Sequence, residues 1–261
     1  MSKLLLRNIN KSFEIKASLF KSRRVQVLFD INLDLLDNEI VALVGTSGGG
    51  KSTIANIILK LIEPDSGVIL FDNNDVTKIK GKELKKYRSE VQLIFQDPYS
   101  SLDPTHDVYW HISRPLILHG ESNIKQKVAS LLQEVYLTPP ENYMYKYPHQ
   151  LSGGLRQRVY IARALAVNPK ILVADEPVSM LDASIRAGIL ELMKDLVNER
   201  GISMLYITHD LATVNHVARR LYVIQNGRIV ESGNVKNIIN NPQNDYTKKL
   251  LEAAPDPFKR I

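Results

Sequence analysis

The sequence predicts an α/β protein: a mostly parallel sheet covered by helices, with an antiparallel β subdomain and an inserted helical subdomain. Three observations support this fold class. Strand and helix patterns alternate along most of the 261 residues, which is typical of parallel sheets. Apolar residues alternate with polar ones within 25–36, as in an antiparallel sheet with one wet face. Between 103 and 148 strand patterns disappear and apolar residues recur at helical spacing.

The elements are predicted in the following order. The first half contains strands at 3–9, 25–36, 39–44, 68–71 and 91–95, and a helix at about 51–62. The basic segment 16–24 between the first two strands is predicted to be a loop. The second half contains strands at 171–174, 202–208, 221–225 and 228–231, and a helix at 183–199. Asn226-Gly227 between the last two strands predicts a tight hairpin.

These patterns predict one domain with an insertion. Residues 1–96 and 159–240 are expected to form the α/β core with the antiparallel β subdomain. Residues 97–158 are expected to form the helical subdomain, because Val128, Leu131 and Leu132 follow helical spacing. A tail at 241–261, with three prolines, closes the chain.

Composition excludes several classes of protein. Hydrophobic residues make up 44% and charged residues 24%, as in ordinary globular proteins. The apolar runs have strand length, whereas a membrane helix needs about 20 apolar residues. The chain has no cysteine, which excludes disulfides, Cys-ligated zinc and iron–sulfur clusters. With no signal-peptide pattern at the N-terminus, we expect a cytosolic chain. The net charge of +6 fits phosphates, anionic lipids or nucleic acid alike.

A glycine-rich loop joins the strand at 39–44 to the helix at 51–62. It fits the phosphate-binding pattern G-x-x-x-x-G-K-[ST] and consists of Gly45, Thr46, Ser47, Gly48, Gly49, Gly50, Lys51, Ser52 and Thr53. Glycines let successive backbone N–H groups point into one concavity, and the following helix presents its positive end to the same anion. We expect Lys51 to reach the β- and γ-phosphates and the Ser52 hydroxyl to bind Mg²⁺. The loop therefore predicts a nucleoside triphosphate site.

Two carboxylates follow the apolar strand at 171–174. Asp175 is suited to hold Mg²⁺ through its water shell, and Glu176 to polarise a water for attack on the γ-phosphate. An acidic pair after a strand is more often a helix cap or a loop. The phosphate loop upstream favours the catalytic interpretation.

A second phosphate-binding helix end is predicted about a hundred residues beyond the first. Ser152, Gly153 and Gly154 form a capping turn that opens a helix, with a hydroxyl and backbone N–H groups at its positive end. One chain rarely wraps both ends around one nucleotide. Two subunits packed head to tail would place each nucleotide between the loop of one chain and the Ser-Gly-Gly turn of the other.

With these motifs in this order, the chain resembles an ABC (ATP-binding cassette) ATPase over nearly its whole length. The resemblance implies a P-loop NTPase with a RecA-like core that uses ATP and Mg²⁺. It assigns Gln96 to sensing Mg²⁺, Asp182 to the loop that communicates across the dimer, His209 to the γ-phosphate and Phe13 to stacking on adenine. The implied catalytic set is Glu176, His209 and Gln96, and the implied metal set is Ser52, Gln96 and Asp175.

Two positions depart from the family pattern. Leu155 replaces the glutamine that usually follows Leu-Ser-Gly-Gly, so a polar contact from this position is lost while phosphate binding by Ser152 should persist. Val178 stands where threonine is common, and we expect a mild effect.

Three segments resemble the oligopeptide/dipeptide/nickel importer family: 95–104, 147–154 and 241–255. The resemblance implies two membrane permeases, a second ATPase that is usually a paralogue, and an external solute-binding protein, with this chain peripheral on the cytoplasmic face of the membrane and no nucleic acid partner. Peptides are the first choice of solute, and oligosaccharides or nickel and other metal chelates are alternatives. Homodimer and heterodimer both stay open.

Rival functions fit the sequence less well. A soluble ABC ATPase that acts on DNA or ribosomes would carry tandem cassettes, a long coiled coil or zinc-binding cysteines. A GTPase would need Asn-Lys-x-Asp, and the Asn-Lys pair at 10–11 lacks the aspartate. The remaining histidines share no metal-ligand spacing, and we expect structural or surface roles for His106, His111, His119, His149 and His216. For Trp110, packing is favoured over contact with a transporter subunit.

Overall fold

The computed structural model describes residues 2–18, 21–97, 100 and 102–253. These residues form two compact units, one made of 2–85 with 203–253 and the other of 86–202. The predicted subdomain boundaries at 96/97 and 158/159 stay a prediction. Residues 98, 99, 101, 254 and 255, which belong to two of the importer-like segments, and the last part of the predicted tail lie outside the described residues.

The strands are β1 (Ser2–Ser18), β2 (Lys21–Leu36), β3 (Ile40–Val44), β4 (Ser66–Phe71), β5 (Asn74–Asp75), β6 (Val91–Ile94), β7 (Ile171–Asp175), β8 (Ser203–Thr208), β9 (Arg220–Gln225) and β10 (Arg228–Asn234). The helices are α1 (Lys51–Ile58), α2 (Gly81–Glu90), α3 (Val108–Leu118), α4 (Ile124–Glu134), α5 (Glu141–Met144), α6 (Gly153–Leu165), α7 (Ala183–Arg200), α8 (Leu211–Val217), α9 (Val235–Asn240) and α10 (Asp245–Ala253). This mixed α/β content confirms the predicted fold class.

The antiparallel sheet of the first unit has the order β2-β1-β4-β5. Leu4 and Leu6 on β1 and Ile31 and Leu33 on β2 are buried, while Arg7 is exposed. The alternation within 25–36 thus has the predicted cause, one buried and one wet face.

The prediction of a loop at 16–24 is wrong for 16–18 and 21–24, the residues of this segment that the structure describes. β1 and β2 stay paired through Glu14 with Arg24, Lys16 with Ser22 and Ser18 with Lys21. Backbone hydrogen bonds extend the pairing of the two strands, and they do not depend on the type of side chain. The lack of apolar alternation in this basic segment concealed the strand pairing.

The other strands of the first unit have the order β10-β9-β3-β8. β9, β3 and β8 are parallel, and β10 is antiparallel to β9. The turn of this hairpin has positive φ at Asn226 (48°) and Gly227 (74°), which confirms the predicted Asn-Gly hairpin. β3 and β8 are buried at every position, as expected for central parallel strands.

The second unit contains the parallel pair β6 and β7 and most of the long helices. α3, α4 and α6 pack against one another. The predicted helical spacing is confirmed in α4, where Val128, Leu131 and Leu132 are buried. Helices α2, α8, α9 and α10 were not among the predictions, because each is short or mostly polar. In the described part of the chain no helix combines the length and apolar character needed to cross a membrane.

Candidate functional site

The predicted phosphate loop connects β3 to α1 in the first unit. The chain turns at Gly48 (φ 77°) and Gly50 (φ 106°), and α1 begins at Lys51. Gly50 is the N-cap residue of α1 and supplies no side-chain hydrogen bond to its first turn. Glycine backbone and a helix N-terminus thus follow directly on a buried strand, which is an arrangement that binds phosphate.

The turn of the β9–β10 hairpin supports this loop. Gly227 donates its backbone N–H to the carbonyl of Gly49 at 3.1 Å and accepts the N–H of Phe29 at 2.9 Å. A Cβ atom at Gly45 would lie only 2.3 Å from the carbonyl oxygen of Ile224. The close approach of two backbones therefore requires glycine at position 45.

Lys51 lies against the loop that precedes it. Only 6% of the residue is exposed, and its Nζ donates to the carbonyl oxygens of Gly45 at 2.7 Å and Thr46 at 3.0 Å. A phosphate oxygen would offer the ammonium a charged hydrogen bond, which is stronger than one to either neutral carbonyl. The loop thus holds the Lys51 ammonium where a bound phosphate could replace the carbonyl oxygens as its acceptor.

His209 leaves the same end of the sheet as the phosphate loop. Val44, the last residue of β3, pairs with Thr208, the last residue of the parallel neighbour β8. His209 is exposed in the turn after β8. In that turn Asp210 donates its N–H to the Thr208 hydroxyl at 3.0 Å and caps α8 by accepting the N–H of Ala212 at 2.9 Å. The structure brings His209 and the phosphate loop to neighbouring carboxyl ends, where α/β folds bind ligands.

Phe13 lies on β1 opposite Val25 and is 37% exposed. The Nζ of Lys11 lies 5.5 Å from the centre of the Phe13 ring. Asp65 pins this part of the hairpin by accepting hydrogen bonds from the backbone N–H of Ser12 at 2.8 Å and from the side chain of Lys11 at 3.2 Å. The ring is therefore an exposed aromatic surface on a fixed strand, as base stacking requires.

Gln96, Asp175 and Glu176 come together in the second unit. β6 and β7 are parallel neighbours, paired up to Ile94 and Ala174, so the residues that follow lie at one edge. The Nε2 of Gln96 is 3.3 Å from Oε2 of Glu176. Asp175 is the last residue of β7. The three side chains predicted for metal and water therefore occupy one strand edge.

The backbone of Glu176 has an uncommon conformation. Its φ of 48° lies in the left-handed region, which costs a non-glycine residue about 1–3 kcal/mol at such sites. Ser179 stabilises this turn, because both its N–H (3.2 Å) and its hydroxyl (3.0 Å) donate to the Glu176 carbonyl. The strained turn is therefore fixed by a short local hydrogen-bond pattern.

The predicted capping turn of α6 is confirmed. Ser152 is the N-cap, and its hydroxyl accepts the N–H of Leu155 at 3.5 Å. Gly154 is buried, and a Cβ there would lie 2.3 Å from Cγ2 of Ile185 in the first turn of α7. Asp182 is the N-cap residue of α7. The N-terminal turns of the two helices therefore contact each other in the second unit.

An aromatic and basic groove lies on the second unit next to Gln96. Phe95, 51% exposed, stacks on Tyr160 at 6.4 Å, and Arg163 lies over the Tyr160 ring at 4.4 Å. Trp110 and Arg114 line a cavity of about 240 Å³ together with Tyr160 and Arg163. The groove is concave and offers aromatic and cationic side chains to a partner.

The additional histidines fit structural roles where contacts define them. His106 stacks on Trp110 at 3.7 Å. His111 is buried, with Nε2 3.0 Å from the carbonyl of Asp103, and its burial lowers the pKa of its imidazole. Among the residues that the structure describes, no three His, Asp or Glu side chains are grouped as a metal site. For Trp110, stacking on His106 agrees with packing, and its place in the groove leaves partner contact open.

Sequence reasoning missed one residue at the loop. Tyr246, on α10, contacts the backbone and side chain of Thr46 with its hydroxyl. The 200 residues between them and the weak local pattern of the tail gave no physical signal for this contact. The resemblance of the segment 241–255 to an importer tail assigned no role to Tyr246.

These features define a class of protein: a nucleotide-binding P-loop protein with an acidic strand end and a second glycine-opened helix. A family model described as ABC transporter matches residues 28–179. The chain belongs to the ABC transporter family.

Several curated relatives are similar along nearly the whole chain. The glutathione import ATP-binding protein GsiA of Pectobacterium atrosepticum is 43% identical over 264 residues, which is 98% of this chain and 42% of that protein. GsiA of Escherichia coli is 42% identical over 257 residues, which is 97% of this chain and 41% of the relative. The chain thus spans about two fifths of the length of these relatives.

Solved structures share the fold. The ATP-binding cassette MJ0796, described as a dimer in a post-hydrolysis state bound to ADP and Pi, aligns with a TM-score of 0.77 and 30% identity over 89% of this chain and 98% of its own. The cbiO1 protein from Clostridium perfringens, part of the ABC transporter complex cbiONQ, aligns with a TM-score of 0.80 and 28% identity over 92% and 91%. The predicted P-loop fold and the family resemblance are both confirmed.

Proposed function

We propose that this chain binds ATP with Mg²⁺ and hydrolyses the ATP to drive solute import through separate membrane permeases. The observation that carries the proposal is the pair formed by Gln96 and Glu176, 3.3 Å apart at the end of β7. A carboxylate fixed in this way, in a chain that also has a phosphate loop, is suited to orient an attacking water.

The residues present fit a magnesium nucleotide. Ser52, Asp175 and Gln96 supply hydroxyl, carboxylate and amide oxygens, which are hard donors of the type that Mg²⁺ prefers. No group of three acidic or imidazole side chains is found in the described part of the chain. Mg²⁺ is typically bound by one or two protein carboxylates together with substrate phosphates. When bound, the ion would neutralise phosphate charge and orient the β- and γ-phosphates.

The residues of this chain would bind the nucleotide and promote its hydrolysis in the following way. Phe13 stacks on the adenine base, and Lys51 moves from the loop carbonyls to the phosphates, where its charge is attracted more strongly. Glu176 accepts a hydrogen bond from the attacking water and aligns it, while Gln96 holds the carboxylate. His209 donates to the γ-phosphate and stabilises the charge that develops there.

We further propose that two ATPase subunits share each nucleotide. The Ser152 turn and the phosphate loop are separate anion sites of one chain, so a partner subunit would supply Ser152, Gly153 and Gly154 to the nucleotide on the first chain's loop. Asp182, at the N-cap of α7, would then face the partner. The structures of the similar cassette MJ0796 are described as dimeric, which supports the proposal of a dimer. A paralogue is the expected partner, which makes the dimer a heterodimer.

We propose a small peptide as the solute, and glutathione in particular. The support is the 42–43% identity to glutathione import proteins, since glutathione is a tripeptide. Oligosaccharides and nickel or other metal chelates are the alternative solutes. We place the chain as a peripheral subunit at the cytoplasmic face of the membrane. The groove beside Phe95 and Trp110 is the surface that we assign to a permease.

The test is complementation of uptake in the source organism. Deleting the gene should abolish growth on, or uptake of, labelled glutathione or short peptides, and the wild-type gene should restore it. Glu176→Gln should not restore uptake, whereas exposed Glu191→Gln on α7 should. Affinity capture of the tagged chain should co-purify membrane permeases, a second ATPase and, through them, a solute-binding protein. Uptake restored by Glu176→Gln, or capture of nucleic acid in place of permeases, would contradict the proposal.

A further inference from the structure

The C-terminal helix contacts the phosphate loop through one hydroxyl. Tyr246, in the first turn of α10, accepts the backbone N–H of Thr46 at 2.9 Å, and its Oη lies 3.0 Å from the Thr46 hydroxyl. The two residues are 200 positions apart. Two hydrogen bonds on one hydroxyl fix both the position and the orientation of the Thr46 peptide group.

Thr46 is itself connected to the residue that binds phosphate. Its carbonyl oxygen accepts the Nζ of Lys51 at 3.0 Å and the N–H of Gly49 at 3.1 Å. The N–H side of Thr46 thus contacts Tyr246, and the carbonyl side contacts Lys51 and the turn of the loop. A shift of Thr46 would move the acceptor of Lys51 and the curvature of the loop together.

Thr46 also lies in the part of the loop that has the least support from the core. Residues 46–48 are exposed, whereas Gly45, Gly49 and Gly50 are buried. Gly49 is held by the hairpin turn through Gly227. The Tyr246 hydroxyl therefore steadies the exposed first half of the loop, where the hairpin turn does not reach.

The tail that carries Tyr246 is anchored to the β9–β10 hairpin. Glu231 on β10 accepts the backbone N–H groups of Gln243 at 2.9 Å and Asn244 at 3.2 Å. Asn244 in turn accepts the N–H of Tyr246 at 2.9 Å through its Oδ1, and Thr247 is fully buried. Partial burial acts to raise the pKa of Glu231, but the hydrogen bond from Gln243 and its other contacts outweigh it and lower that pKa. The same hairpin thus holds the loop at one end and the tail at the other.

We propose that Tyr246 is a positioning residue for ATP hydrolysis, through which the C-terminal helix sets the geometry of the phosphate loop. The inference rests on the proposed ATPase function. The hydroxyl acts through Thr46 on Lys51 and makes no contact with the nucleotide. Binding at the loop and docking of the tail share Thr46. We therefore expect the two to be coupled, and a coupling of this kind acts equally in both directions.

The test compares Tyr246→Phe with wild type, using the full chain together with its partner ATPase. The substitution removes the hydroxyl and keeps the ring, so the fold should persist. Loss of one neutral hydrogen-bonding group at the loop should lower kcat about three- to tenfold. KM for ATP should rise by a smaller factor than kcat falls, because base stacking at Phe13 is untouched. Tyr145→Phe, which removes an exposed hydroxyl on the second unit, should leave both constants unchanged.

A second measurement separates positioning from a merely structural role. Hydrogen exchange of the backbone amides of 243–253 should slow when ADP or a non-hydrolysable ATP analogue is added to the wild type. This protection should be lost in Tyr246→Phe. A wild-type chain that hydrolyses no ATP would contradict the proposed ATPase function. That failure is seen in the wild type alone, whereas the role of Tyr246 is judged by comparing the wild type with Tyr246→Phe. Active wild type with equal kcat in Tyr246→Phe, or equal nucleotide protection of the tail in both, would overturn the role of Tyr246.

Discussion

The side-chain amide of Gln96 lies 3.3 Å from the carboxylate of Glu176, which joins the segment after β6 to the residue after β7. The contact lies at the edge formed by two parallel strands, and the Ser179 hydroxyl holds the Glu176 backbone from the other side at 3.0 Å. A carboxylate constrained at both its backbone and its side chain has few rotamers left. Such preorganisation is what a water-orienting group needs.

Replacing Glu176 by Gln should therefore remove hydrolysis and keep binding. The amide is nearly isosteric but cannot accept the proton of the water, so kcat should fall by roughly 10²–10⁴. The Kd for ATP, measured by fluorescence of a labelled nucleotide, should stay within about threefold, because Lys51 and Phe13 are intact. Glu191→Gln, whose exposed carboxylate pairs with Lys194 on one face of α7, serves as the control with normal hydrolysis. Brisk hydrolysis by Glu176→Gln would remove this residue from its assigned role.

Much of the fold could be predicted because local patterns and long-range packing agree. The buried strand at 40–44, the glycines after it and the helix at Lys51 are each recognisable from residue type, and the structure joins them as expected. The prediction for 16–24 failed because the strand pairing there depends on backbone hydrogen bonds, which leave no apolar pattern in the sequence. Helix α10 in the tail was missed similarly, since this segment is anchored by backbone hydrogen bonds to Glu231 and Thr247 is the buried residue of the helix.

The site was predictable where chemistry restricts the residue type. Glycine, lysine and paired carboxylates were identified because phosphate and water demand them, and Gln96 and His209 because the family resemblance assigned them. Tyr246 and Ser179 could not be assigned from residue chemistry, since each acts through one hydroxyl on a backbone carbonyl or amide. The Tyr246 contact depends on tertiary structure, because 200 residues separate it from Thr46. The Ser179 contact is local, over three residues, but depends on the uncommon backbone conformation of Glu176.

Phe13 should contribute to nucleotide affinity through its exposed ring. Removing the ring with Phe13→Ala should raise the Kd for ATP roughly 5- to 100-fold, as expected for the loss of one stacked base. Phe13→Tyr should bind within about twofold of wild type. Val68→Ala is the matched control, because Val68 lies in the same sheet and is also 37% exposed. Titration by isothermal calorimetry measures all four proteins, and equal affinity of wild type and Phe13→Ala would show that the base lies elsewhere.

Two helical glycines should respond differently to alanine. At Gly154 the new Cβ would lie 2.3 Å from Cγ2 of Ile185, whereas at Gly188 it would meet only the end of the Arg158 side chain at 3.3 Å. Gly154→Ala should lower the free energy of unfolding by about 1–3 kcal/mol through overpacking. Gly188→Ala should leave the free energy of unfolding unchanged or raise it by up to about 1 kcal/mol, because alanine has the higher helix propensity. Chemical unfolding followed by circular dichroism measures the free energy of unfolding of both variants. Equal values would show that α6 and α7 can move apart to accommodate the new Cβ at position 154 without loss of stability.

The network around Arg220 should make the first unit sensitive to acid. Arg220 donates to Asp34 at 3.0 Å and to Glu39 at 2.7 Å, and Tyr222 donates to Asp34 at 2.6 Å. Partial burial acts to raise the pKa of Asp34, but the hydrogen bonds from Arg220 and Tyr222 outweigh it and hold that pKa below the ordinary 3.8. A carboxylate with a lowered pKa stabilises the folded state above its unfolded pKa, and this contribution disappears as the pH falls through the lower folded value.

Replacing Asp34 by Asn should therefore remove both stability and its pH dependence. At pH 7 the free energy of unfolding should fall by about 1–3 kcal/mol, since charged hydrogen bonds to Arg220 are lost. Below about pH 5 the wild type should lose stability with a steeper slope than the variant. Asp37→Asn is the control, because Asp37 makes a surface ion pair with Lys3 at 3.2 Å, and such pairs contribute about 0–1 kcal/mol. Urea unfolding between pH 3 and pH 7 measures the slopes. Parallel curves for wild type and Asp34→Asn would mean that Arg220 stabilises the fold by packing and not by its charge.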